Sequence, residues 1–590
     1  MSKLLQAVFK KRGYDENYLK QIEENKRTSL LDVDILIQKL HNLKQKQKKL
    51  VILPDFDMDG IMSGVIGFSG FAELGFNVEL FIPTPSKGYG FNQEVIDDLI
   101  KAHPNVDAII TCDNGITAFE GVTYAKSKGI EVYITDHHKP AETYPIADVI
   151  VDPLRYEDNY ILKGICGAHV LWHVLMQYVS KYAEKDIELM QKIWRLQIFA
   201  GIGTVSDIMP MLYENRELVR NAIAVCRLVL GNDDEENLFL KSLNTCCKPY
   251  QLAYHGLYNV LKTFQQSGKI KTVDDIDEEF FGFYLAPMFN SVKRLDANMA
   301  IAFKAFFSEQ SMTYIAQLFQ MNEQRKLLVN KYMTEICEQD NPYAPYVYIT
   351  TASSGLVGLL ASKLMEENHV PTFVVHKNED GYGFAGSGRS PEWFSAHTIL
   401  TKAGFHIAGH EGAFGCGFTD KQELKSLCAL LGKLVPEAIK ENLANQVDAE
   451  NGYDYIIDTD GVYGLSIDVF DFAEFLQELK ALKPFGNSFE KPMGLLIIQK
   501  NAWSNFDLTV MGKMKQHVKL TLNQGLEVLL WNQAKYIDEL KNKQVITIAG
   551  QLGHSEFLDK STINFMGNVT DVDINNLQVK DDGKEFDFNI

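Results

Sequence analysis

The stretch VILPDFDMDG, residues 51–60, places Asp55, Asp57 and Asp59 at every second position behind an apolar run. Carboxylates this close repel one another unless something positive sits among them. The same ending recurs downstream. AIITC runs into Asp113, VYIT runs into Asp136 followed at once by His137 and His138, and GTVSDIMP carries Asp207 behind a helical stretch. One aspartate after a strand is an ordinary turn residue or helix N-cap, but four such clusters together point to a metal site. Oxygen ligands joined by one or two imidazoles suit Mn²⁺ or Mg²⁺ better than zinc. Two such ions, about 3.5–4 Å apart, are the arrangement that hydrolyses a phosphoester.

The elements that must position these groups are legible. KLVILP, VELFI, DAIITC, EVYIT and ADVIV are short, nearly continuous apolar runs bounded by turn residues, with helical stretches between most of them. That is the signature of βαβ units on a buried parallel sheet. In such a sheet the ligand crevice lies outside the carboxyl ends of the strands, where these aspartates would converge. The chain predicts an α/β architecture in six parts: an N-terminal helical segment (1–46), a parallel-sheet phosphoesterase domain (47–240), and a helical region ending in a connector helix (241–341). A second α/β domain (342–446), a linker with a C-terminal antiparallel OB-like β-barrel (447–576) and an acidic tail (577–590) follow. The connector, 311–340, has no Gly or Pro and breaks at NPYAP, a helix ending at a domain boundary.

The net charge of −19 argues against a generic polyanion binder, so any nucleic-acid contact needs a local groove or bound metal. No apolar run reaches the roughly 18 residues of a membrane span, and the start MSKLLQAVFKKRGYDEN is too short an apolar segment for a signal peptide. The eight cysteines form no CxxC pair and read as reduced thiols of a cytoplasmic protein.

Two further segments could grip a substrate. GSGRS, 386–390, offers backbone N–H groups, the hydroxyls of Ser387 and Ser390 and the Arg389 guanidinium. Glycines let a phosphate approach the backbone closely, and an arginine can hold two of its oxygens. His410 in AGHEGAFG is a candidate partner. In the last domain, Lys513, Lys515 and Lys519 accompany Trp503, Phe506 and Trp531, a mixture that holds single strands by stacking beside a basic groove. Trp531, inside LEVLLWN, reads as core.

DFDMDG, TCDNG, TDHH and GTVSDIMP resemble, in order, the four motifs of the DHH phosphoesterase superfamily. LAPMFNSVKRLD, GSGRS, AGHEGAFG and LKPFGNSFEKP look like segments of its RecJ branch of single-strand-specific exonucleases, over about residues 50–570. The resemblance implies a two-metal nuclease. Asp57, Asp59, Asp113, His137 and Asp207 would be the main ligands, with Asp55, Asp136 and His138 as further ligands or their partners, and His138 alternatively on a phosphate oxygen. Asn290 and Arg294 match substrate-binding positions, and Lys87 is the sole cation before GYG, where relatives tend to carry Arg. Leu53-Pro54 stands where His-Gly is common, Asp152 where Asn is usual, and Glu411 where a small residue is usual.

The resemblance further implies 5′→3′ hydrolysis of single-stranded DNA to mononucleotides, in DNA repair and recombination. Single-stranded DNA is the expected partner, with a single-strand-binding protein or a helicase as candidate protein partners and no membrane. Two alternatives stand beside it: a phosphodiesterase of the same superfamily on short oligonucleotides or cyclic dinucleotides, and a non-catalytic replication scaffold.

Overall fold

The computed structural model describes residues 1–24, 28–84, 90–231, 248–378, 381–409, 411–445, 452–500, 506–512, 515–522, 525–557 and 560–570. The described chain divides into two compact units, one of residues 23–435 with 486–489, the other of residues 1–22, 436–485 and 490–590.

The larger unit opens on five parallel strands: β1 (Lys49–Pro54), β2 (Asn77–Leu80), β3 (Ala108–Cys112), β4 (Glu131–Thr135) and β5 (Val149–Val151), in the order β2-β1-β3-β4-β5. Their side chains alternate between two apolar layers. Leu50 and Ile52 face the helices Val33–Gln45, Met58–Glu73 and Gly167–Tyr182, while Val51 and Leu53 face Gln93–Ala102 and Phe119–Ser127. Both faces of β1, β3, β4 and β5 are covered, which is why these strands are nearly continuous apolar runs, whereas the edge strand β2 alternates exposed and half-buried residues.

Register decides what happens at the strand ends. Pro54 pairs with Cys112, Cys112 with Thr135, and Thr135 with Val151. Asp55, Asp113, Asp136 and Asp152 are the residues that follow these four, so they form one row along the carboxyl edge. The row is stitched by backbone hydrogen bonds from Asp55 to Cys112, Asp113 to Thr135 and Asp136 to Val151.

The helix Ser311–Glu338 leads to a second sheet of β6 (Val347–Ile349), β7 (Thr372–Lys377), β8 (Phe384–Arg389), β9 (His406–Gly409) and β10 (Ala413–Phe418), ordered β6-β7-β8-β10-β9. β6 and β7 are parallel and the remaining pairs antiparallel. The helix Ser354–Asn368 packs against it.

The smaller unit holds seven strands: β11 (Tyr455–Asp458), β12 (Gly494–Gln499), β13 (Phe506–Met511), β14 (His517–Leu522), β15 (Glu527–Leu530), β16 (Val545–Phe557) and β17 (Lys560–Thr570). The order is β11-β12-β16-β17-β15-β14-β13. This sheet is mixed, where an antiparallel barrel was expected. The β16–β17 hairpin folds back so that β17 lies parallel to β15, and β11, from a segment read as linker, adds parallel to β12. The N-terminal helix Lys3–Arg12 belongs to this unit, tied by the Ser2 amide and hydroxyl to Glu478 and by Arg12 to Asp454. The acidic tail lies outside the described residues.

Candidate metal centre

Each functional side chain on the carboxyl edge is held by local backbone chemistry. Asp57 is the N-cap of the helix Met58–Glu73 and accepts from the Gly60 amide. Asp59, in the first turn of that helix, accepts from the amides of Gly167 (2.6 Å) and Ala168 (3.2 Å). Those amides start the helix Gly167–Tyr182, so Asp59 lies against the positive end of a helix dipole. Asp113 leaves β3 in the left-handed region at φ 66°, a conformation aspartate tolerates better than most residues. Asp207 is the C-cap of the helix Gln197–Ser206.

These groups converge. His137 Nε2 lies 2.9 Å from Asp113 Oδ1, 3.5 Å from Asp207 Oδ2 and 3.8 Å from Asp59 Oδ2. Ligand atoms of Asp59, His137 and Asp207 fall within 4.8 Å of one another, as do those of Asp55, Asp57 and Asp113, and those of Asp113, His137 and His138. Packing makes room for them. A Cβ on Gly167 would sit 2.5 Å from the Asp113 Cβ, and one on Gly203 would sit 2.4 Å from Asp59 Oδ1. These two glycines and the Gly167 and Ala168 amides have no visible role in the sequence, although Gly203 opens the motif GTVSDIMP, because only the tertiary fold brings them to the aspartates.

The electrostatics call for cations. Burial raises the pKa of Asp59. Burial, reinforced by Asp59, Asp57, Asp55 and Asp207, holds Asp113 well above the carboxylate range. Asp207 is pushed up to about 8 by burial and then by Asp59 and Asp57, and burial lowers the pKa of His137. Asp113 Oδ1 is buried and makes no hydrogen bond, although His137 Nε2 is beside it. A buried carboxylate oxygen and an imidazole nitrogen 2.9 Å apart with no hydrogen bond between them fit a shared cation. Carboxylates and one or two imidazoles suit Mn²⁺ or Mg²⁺.

Asp136 and His138 differ from this set. Asp136 accepts from the amides of Ile116, His137 and His138 and from the His138 ring at 2.7 Å. Burial works against its charge, but the His138 ring leads a set of partners that hold its pKa below the usual range. Asp136 is therefore the group that orients His138. Although burial disfavours the charged ring, the Asp136 bond holds the pKa of His138 up at about 10. Asp152 is buried beside them, accepts from the Leu154 amide, and is raised to about 7 by burial and by Asp136. Lys293 lies 3.6 Å from Asp55 and was also missed, although it sits inside the quoted NSVKRLD.

The candidate substrate residues scatter more. Asn290 accepts from the Met58 amide at 2.8 Å, bracing the loop that carries Asp57 and Asp59. Arg294, one turn further along the same helix, donates to the Gly355 carbonyl at the start of Ser354–Asn368. Arg389 donates to Ser362 Oγ, Ser387 Oγ and the Gly388 carbonyl. Burial and then the charge of Arg294 work against its ionisation, and no carboxylate pairs with it among the described residues. Ser390 is buried with its hydroxyl donating to the Phe394 carbonyl, so it supports the loop instead of facing a ligand. Lys519 is ion-paired with Glu527 at 2.8 Å, and Lys515 occupies the turn before β14 at φ 55°. Trp531, just past the end of β15, is 51% exposed, not core. Lys87, His410, Lys513 and Trp503 lie outside the described residues.

Residues 49–202 match the DHH family N-terminal domain, residues 342–437 the DHHA1 domain, and residues 465–568 the RecJ OB domain. With its row of aspartates on a parallel sheet, the chain carries the domains of a DHH-type phosphoesterase. Its domain set is that of RecJ. It is 24% identical over 579 residues to the single-stranded-DNA-specific exonuclease RecJ of Haemophilus influenzae, covering 91% of this chain and 90% of that protein. It is 26% identical to the Bacillus subtilis exonuclease of the same name, covering 88% of this chain and 61% of the relative. The fold matches the crystal structure of Thermus thermophilus RecJ in complex with Mn²⁺ with a TM-score of 0.70 at 19% identity, covering 97% of this chain and 76% of that one.

Proposed function

We propose that this protein is a metal-dependent exonuclease that degrades single-stranded DNA from the 5′ end to mononucleotides, in the cytoplasm and in DNA repair and recombination. The observation that carries the proposal is the convergence of Asp59, Asp113, His137 and Asp207 around one point on the carboxyl edge of the sheet. The relatives' activity on single-stranded DNA and the OB domain support the choice of substrate.

Asp57, Asp59, Asp113, His137 and Asp207, with Asp55 beside them, would hold two Mn²⁺ or Mg²⁺ ions. When bound, such ions lower the pKa of water and offset charge on a phosphodiester in the transition state. The protein fixes its donors in advance. The helix amides hold Asp59, and Asn290 holds the loop before it. With Nδ1 engaged by Asp136, His138 keeps Nε2 to donate to a phosphate oxygen. Arg389, with Ser387 beside it, would grip a phosphate of the strand end, and Arg294 lies between that grip and the metal loop. Asn290 and Arg294 are four residues apart, so about 6 Å of helix joins the two sites. A single-strand-binding protein or a helicase would supply the strand.

The test is digestion of end-labelled single- and double-stranded DNA and RNA with Mn²⁺, Mg²⁺ or chelator. Progressive shortening of 3′-labelled single strands supports the proposal. Immediate release of the 3′ label reverses the polarity, preference for dinucleotides moves the substrate to short oligonucleotides, and no hydrolysis with any metal leaves a scaffold.

A further inference from the structure

A second set of metal-ligating side chains lies away from the carboxyl edge, in the interior of the larger unit. His169 and His173 are one turn apart on the helix Gly167–Tyr182, and Glu214 stands on the helix Tyr213–Leu230 facing them. All three are buried. One ligand atom from each falls within 4.8 Å of the others. Glu214 Oε2 is 3.0 Å from His173 Nε2 and 3.5 Å from His169 Nε2, and the Tyr160 hydroxyl is 2.6 Å from the same carboxylate oxygen and 2.8 Å from His173 Nε2.

The tautomer of His169 is fixed by its surroundings. The Asn215 amide nitrogen donates to the carbonyls of Gly164 and Pro210, so its oxygen must accept, and the group facing it at 3.0 Å is His169 Nδ1. Nδ1 therefore carries a proton, and in the neutral ring Nε2 bears the lone pair. That nitrogen is buried, makes no hydrogen bond, and points at a carboxylate. A lone pair facing an anion inside a protein is repulsive unless a cation lies between them. A histidine whose outer nitrogen donates to a fixed acceptor while the inner one is bare has the posture of a metal ligand.

We propose that His169, His173 and Glu214, with the Tyr160 hydroxyl as fourth donor, form a structural zinc site. The histidine–glutamate spacing fits. Tetrahedral zinc with ligands at about 2.0–2.1 Å holds neighbouring ligand atoms about 3.3–3.4 Å apart; the two Nε2–Oε2 distances, 3.0 and 3.5 Å, bracket this, while the Tyr160 hydroxyl, now hydrogen-bonded at 2.6 and 2.8 Å, would have to draw back to take the fourth position. Two imidazoles and one carboxylate suit zinc, and a site closed on all sides is structural, not catalytic. Its role is positional. The helix bearing both histidines begins at the Gly167 and Ala168 amides that hold Asp59. Zinc would pin that helix to Tyr213–Leu230, and so hold the Asp59 cradle.

The experiment is elemental analysis of the full-length protein after zinc loading and exhaustive dialysis. One zinc per chain is expected in the wild type and in the Asp57→Ala/Asp113→Ala variant, whose first site is disabled. His169→Gln and His173→Gln should retain at least about tenfold less zinc, because each loses one of few ligands. A wild type without zinc overturns the proposal and leaves a buried imidazolium–carboxylate pair. Equal zinc in the histidine variants overturns it as well. Should those variants fail to fold, zinc-edge X-ray absorption of the wild type decides: two imidazoles with oxygen donors support the site, and sulfur or oxygen-only ligation rejects it.

Discussion

Replacing Gly203 by alanine tests whether the geometry around Asp59 drives activity. Gly203 lies inside the helix Gln197–Ser206, where alanine is intrinsically better by about 1 kcal/mol. Its added Cβ, however, would sit 2.4 Å from Asp59 Oδ1, 3.1 Å from the Ala168 Cβ and 3.2 Å from Cys166 Sγ. Ordinary contact begins at about 3.4 Å, so Asp59 must retreat by about 1 Å. Overpacking costs about 1–3 kcal/mol, which the helix preference partly offsets, so net stability should fall by no more than about 2 kcal/mol. The carboxylate cannot be spared the movement, and a misplacement of about 1 Å at a reacting centre costs on the order of a hundredfold. The expected result is a kcat on end-labelled single strands lowered about a hundredfold at saturating Mn²⁺, with a melting temperature lowered by a few degrees. Gly282→Ala is the control, since its Cβ would meet only Val205, at 3.7 Å. Activity of Gly203→Ala within threefold of wild type would refute the reasoning.

Asp113→Ala should abolish hydrolysis while far-UV circular dichroism stays native; residual activity within tenfold of wild type with unchanged metal content argues against a ligand role. In chelator, the melting temperature should fall as pH rises from about 5 to about 8. Asp59, Asp113 and Asp207 have folded pKa values above their unfolded ones, so the native state binds more protons in that window and loses stability as they leave. Mn²⁺ should therefore raise the melting temperature more at pH 8 than at pH 5, and a metal-independent or rising profile contradicts the cluster. Arg389→Ala should raise KM on 5′-phosphorylated strands about tenfold or more, the worth of one charged hydrogen bond of about 1.5–3 kcal/mol, with metal content unchanged; an unaltered KM means that Arg389 only braces Ser362 and Ser387.

How much of this could be read from the sequence follows from the range of the interactions involved. The aspartate row was legible because a parallel strand buried on both faces is an apolar run, and the runs of β1, β3 and β4 each lead into an acidic residue. Trp531 was misread for want of phase. Leu526, Val528, Leu529 and Leu530 are all buried, so the apolar run gave no alternation by which to place Trp531, which lies just past the strand. The assignment of residues 1–22 to the C-terminal unit had no local signal, since it rests on pairs such as Arg12 with Asp454, more than 400 residues away.

The grip on Asp59 shows the same limit most sharply. HVLWHVLMQY reads as an amphipathic helix from its own residues, yet its contribution to holding Asp59 is two amides at its first turn, and amides leave no mark in side-chain pattern. GICGAH does place Gly167 at the first position of the helix, but glycine at a helix start is common. Only the partner, a carboxylate from a different strand-end loop, gives Gly167 its meaning: a side chain there would collide with Asp113, and without the amide Asp59 would lose its fixed donor. The sequence thus displays the groups that do chemistry, and the groups that aim them become visible only when the chain has closed on itself.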